Sequence, residues 1–72
     1  MSFSTEDDAR RAIEGWRQEP AMAQRKEIQL AIESLELSQM YYEQKGNENG
    51  IARAGRCIAL LRDRLAELAS SS

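Results

Sequence analysis

From Ile51 to Leu68 the apolar residues Ile51, Ala54, Ile58, Leu61, Leu65 and Leu68 stand alternately three and four residues apart. That spacing is the a/d seam of a heptad repeat, sustained for almost three heptads. A β-strand would need alternation at every second residue, so the segment predicts a helix, over about 51–69, with one apolar seam to bury. Ala52, Ala59 and Ala66 recur every seven residues on an adjacent flank, where small side chains permit close approach of another element.

The element that could cover the seam lies upstream. Residues 21–45 predict a second helix, long enough to span roughly 35–40 Å at the rise of an α-helix. Ala21, Ile28, Leu35 and Tyr42 share the seven-residue spacing of the third helix. Gly46 suits a left-handed helix cap, and Asn47 or Asn49 suits the start of the third helix, so a turn over 46–50 joins the two into an antiparallel hairpin. Ahead of it, Ser4 or Thr5 can cap a short helix over about 5–18, with Glu6, Asp7 and Asp8 at its positive end. Ala9, Ala12, Ile13 and Trp16 form its one apolar stripe, and Pro20 separates it from the second helix. The expected fold is all-α: one domain over 1–72, a short N-terminal helix and a long helical hairpin with coiled-coil-like packing.

Composition narrows the possible functions. With 72 residues, a single core is only marginally sufficient. One cysteine and no histidine leave no internal disulfide and no zinc finger. Net charge is −2, against the many cationic phosphate contacts that general nucleic-acid binding needs. Met1 is followed by a polar, acidic run, which predicts no signal peptide, and no apolar run is of membrane length; a cytoplasmic protein is the expectation. Glu33, Glu36 and Glu43 read as a solvated face, and Cys57 as a small apolar group beside the seam with no histidine to activate it. Neither an enzyme, a metal site nor a cofactor is expected.

The second helix carries more apolar surface than one neighbour can cover. Leu30, Leu37 and Tyr41 lie well to one side of the stripe formed by Ile28, Ile32, Leu35 and Tyr42. Either the first helix covers them or they form a surface for association. Ile13 and Trp16 either dock onto the hairpin or act as a clamp on a partner, since aromatic residues dominate interface energetics. Leu30, Leu37, Tyr41, Ile13 and Trp16 are therefore the candidate partner-binding residues. They define a non-enzymatic interaction protein, an adaptor, regulator or chaperone, that binds a partner protein or its own copies.

Arg53 and Arg56 stand near the start of the third helix, where cations oppose the helix dipole. With Tyr42 as a stacking ring, and Gly50 and Gly55 allowing close approach, they are candidate residues for a small anion such as a nucleotide phosphate. Under that alternative the chain is an oligomer that sequesters a phosphate-bearing ligand at the turn. Helical phage proteins that sequester nucleotide signals are similar in general kind. In size and layout, residues 25–69 resemble the small hairpin co-chaperones of bacterial type III secretion needles: a long helix, a Gly-containing turn and a second amphipathic helix. That resemblance, one of architecture and apolar spacing, implies a hairpin that keeps a subunit soluble until assembly.

Overall fold

The computed structural model describes residues 5–70 and consists of three helices: α1 (Glu6–Trp16), α2 (Ala21–Lys45) and α3 (Glu48–Ser70). Helices α2 and α3 form the expected hairpin, and α1 packs mainly on α3, in a molecule of 40 × 18 × 16 Å. Ile28, Ile32 and Leu35 of α2 meet Ala54, Ile58, Leu61 and Leu68 of α3 in the core, and Ala9 and Ile13 of α1 close its side.

Each helix boundary has a local chemical cause. At the start of α1, the Thr5 hydroxyl accepts from the Asp8 N–H at 3.4 Å and Asp8 Oδ2 accepts from the Thr5 N–H at 3.2 Å, a reciprocal capping box. The other expected cap, Ser4, lies outside the described residues. α1 ends at Trp16, two residues short of expectation. The Arg17 N–H tightens back onto the Glu14 carbonyl, and Pro20 pushes Glu19 away from helical geometry. Pro20 itself precedes the first residue of α2, where its missing N–H costs nothing.

The reversal between α2 and α3 is tighter than the sequence predicts. Gly46 takes φ +70°, its N–H donates to the Glu43 carbonyl, and the Asn47 N–H donates to that of Tyr42 at 2.9 Å. This paired arrangement satisfies two carbonyls that the helix end would otherwise leave open. Asn47 Oδ1 then accepts from the Gly50 N–H at 3.0 Å and caps α3, which starts at Glu48 rather than near 51. The expected turn over 46–50 shrinks to Gly46 and Asn47. An L-residue at Gly46 meets no steric obstacle from neighbours, only the cost of a left-handed backbone. Gly46→Ala is therefore expected to lower stability by about 1 kcal/mol with the fold unchanged, read as a fall in the urea midpoint at constant slope.

Glutamine side chains tie the elements together at both ends of the hairpin. Gln39 Nε2 donates to the Ile51 carbonyl near the turn, at 3.3 Å. At the far end of the hairpin the buried Gln24 donates through Nε2 to the Glu19 carbonyl (2.8 Å), while its Oε1 accepts from Arg64 (3.1 Å). One glutamine thus binds the α1–α2 connection to α3. Ala52, Ala59 and Ala66, the flank expected to admit another helix, are exposed; α1 lands instead on the side of α3 that carries Cys57 and Leu60.

Candidate functional site

The surplus apolar face of α2 is open. Leu30 is 52%, Leu37 67% and Tyr41 56% exposed; elsewhere on α2, Met22 and Met40 are 82% and 57% exposed. Leu30, Leu37 and Tyr41 stand seven and four residues apart, so they share one side of the helix, turned away from α3. Because α1 docks chiefly on α3, it leaves this strip uncovered. The Lys45 ammonium lies 5.7 Å from the centre of the Tyr41 ring, and the Tyr42 ring meets Tyr41 edge-on at 6.0 Å. Met40 borders the strip, and Met22 is exposed at the N-terminal end of the same helix. Sequence reasoning missed them because they sit off its centre line, although Met40 is three residues from Leu37, a helical neighbour. Methionine adapts its shape to a partner more readily than the branched residues do.

The adjacent tyrosines separate as their helical positions require. Tyr42 faces α3, and its ring lies over Gly50: a Cβ built at residue 50 would come within 2.7 Å of the ring. Gly50 is buried, and its role is to make room for Tyr42 rather than for a ligand. At Gly55 a Cβ would make only an ordinary contact, 3.4 Å from Gln39 Nε2.

Of the first-helix candidates, Ile13 is buried in the core and Trp16 is half-buried against it. Both dock onto the hairpin, and neither lies on the α2 strip. The reason is geometric: Ala9 and Ala12, one and two turns into α1, let its backbone approach α3 closely, which draws Ile13 inward.

Arg53 and Arg56 find a different environment from the one the sequence implies. Since α3 begins at Glu48, they lie in its second and third turns, beyond the free N–H groups of the first. They line a shallow cleft of about 400 Å³ against the N-terminus of α1, with Thr5, Glu6, Asp7 and Arg10. Arg56 Nε lies 3.0 Å from Glu6 Oε1, an exposed ion pair between α3 and α1. Tyr42 is not among the residues lining the cleft, so the three anion candidates do not converge. The two carboxylates offset part of the cationic charge.

Cys57 is fully buried beside this contact, its Sγ 3.3 Å from the Thr5 carbonyl, to which the thiol donates. Burial pushes its pKa up, and the Glu6 and Asp8 carboxylates add to the shift against the opposing charge of Arg56. A thiol held in its protonated form is a poor nucleophile. Among the described residues no three His, Cys, Asp or Glu side chains gather where they could hold a metal ion, and no helix is long and apolar enough to cross a membrane. Glu33, Glu36 and Glu43 are exposed, with Glu36 3.1 Å from Arg62 across the hairpin.

The chain matches no protein-family model, and comparisons with curated proteins and with solved structures return no match.

Proposed function

We propose that this chain is a non-enzymatic interaction protein that presents the strip of Leu30, Leu37 and Tyr41 on α2 to a partner protein or to a second copy of itself. The observation that supports it is the exposure of those three side chains on one helix face, with Met40 at its border. A small domain gains nothing in its own stability from large apolar residues left in water, whereas a partner helix laid along the strip would bury them. Chaperone-like shielding of a partner's amphipathic helix is one form of this activity. In this reading the protein works in the cytoplasm, where its single unpaired thiol stays reduced.

The alternative, sequestration of a phosphate-bearing ligand at the α2–α3 turn, has less to stand on. The Tyr42 ring is taken up by Gly50, Asn47 caps the start of α3, and Arg56 is paired with Glu6.

The test is a double substitution, Leu30→Lys with Leu37→Lys. Both positions are exposed, so the melting temperature is expected to stay close to that of the parent, within the ~0.5 kcal/mol usual for surface changes. Association is expected to fall at least about tenfold, as for loss of central apolar contacts in an interface. The measurements are molecular mass in solution at low micromolar concentration and affinity capture from the native cell. A parent that is strictly monomeric and captures the same proteins as the double variant would end this proposal.

A further inference from the structure

The three helices are not held equally. The α2–α3 seam is built from Ile28, Ile32, Leu35, Ile58, Leu61 and Leu68, all buried. α1 contributes two alanines, Ile13 and the half-buried Trp16, and only Ile13 and Trp16 among these are large. At 11 residues α1 is below the length at which an isolated helix persists in water, so it is helical only while docked. Gly15, with open space around it, weakens the last turn further. Its polar ties to α3 include the solvent-accessible Arg56–Glu6 pair and the weak Cys57 thiol contact to Thr5.

Local opening occurs first where few large apolar contacts hold an element. We infer that α1 is a displaceable strap over α3, which opens while the α2–α3 hairpin stays folded and thereby uncovers Cys57 and Leu60. Thr5 and Glu6 lie against Cys57 and Arg56, whereas Ile13 and Arg17 lie beside Leu60 and Arg64. α1 therefore runs along α3 in the same direction and leaves through the Arg17–Pro20 connection at one end. Release from the Thr5 end frees the strap without disturbing the Gln24 contacts at the other. The open state shows a second apolar face, on α3, separate from the α2 strip; the inference holds whether or not that strip binds a partner.

The protein carries its own reporter, because Cys57 is the sole thiol and fully buried when α1 is docked. The experiment is labelling of Cys57 with an aromatic disulfide reagent in urea concentrations below the unfolding transition. A strap predicts a labelling rate nearly independent of urea at low concentrations, then a steep rise as global unfolding takes over. Ile13→Ala is expected to raise the low-urea rate roughly tenfold or more, from loss of a buried branched side chain. Arg56→Glu, an exposed change that sets like charges against Glu6, is expected to raise it severalfold while the hairpin's melting temperature barely moves. The inference is overturned if labelling follows the full urea dependence of global unfolding from the outset. It is equally overturned if both variants label at the parent's rate, since Cys57 is then reached by a route that does not involve α1.

Discussion

Leu61→Ala is expected to remove about 2–5 kcal/mol of folding free energy, the cost of a cavity at the centre of a core that closes only partly around it. Leu61 is fully buried in the seam between α2 and α3, with Ile28 and Cys57 the other large side chains wholly out of water. A domain of 72 residues commands roughly 4–11 kcal/mol in total, so this one truncation consumes a large share of it. Thermal unfolding followed by far-ultraviolet circular dichroism is expected to show a melting temperature lower by about 10 °C or more. A loss below about 1 kcal/mol would mean that the α2–α3 seam is not the closed core described.

Gly50→Ala is the second large effect, and its sign is the informative part. In an ordinary helix the change stabilises by up to ~1 kcal/mol, because alanine is the better helix former. Here the new methyl would stand 2.7 Å from the Cγ and one Cδ of the Tyr42 ring, near the root of the side chain where it cannot simply swing aside. Overpacking of this kind costs about 1–3 kcal/mol, so the net change is expected to be destabilising. With Tyr42→Ala already in place the clash is gone, and Gly50→Ala is then expected to stabilise. Urea titrations of the four proteins in this cycle measure the coupling directly. The same sign in both backgrounds would refute the packing of Tyr42 on Gly50.

Much of the architecture was legible in the residues. The spacing of Ile51, Ala54, Ile58, Leu61, Leu65 and Leu68 specified α3 because heptad periodicity is a property of the chain alone. Gly46 and Pro20 announced a helix end and a helix start through backbone constraints that need no neighbours. What escaped depended on neighbours. Gly50 read as a loop residue because the tyrosine that requires it lies on the other helix of the hairpin. Gln24 and Arg64 gave no signal of their contact because 40 positions of chain separate them. Arg53 and Arg56 pointed to an anion, yet the structure sets beside Arg56 a carboxylate from the first helix. The exposure of Leu30, Leu37 and Tyr41 was one of two outcomes the pattern allowed, and the docking of α1 on α3 decided between them.

The two-residue reversal at Gly46 and Asn47 also has a consequence for the order in which the molecule is expected to assemble. Pairing that begins beside it closes the shortest possible loop and forfeits the least chain entropy. Tyr42 and Gly50 are therefore expected to meet early, the aliphatic seam to zipper outward from them, and the Gln24–Arg64 contact to form late. On that order, substitutions close to the reversal are expected to slow folding, and those at the open end to speed unfolding, read as changes in the two arms of a chevron plot.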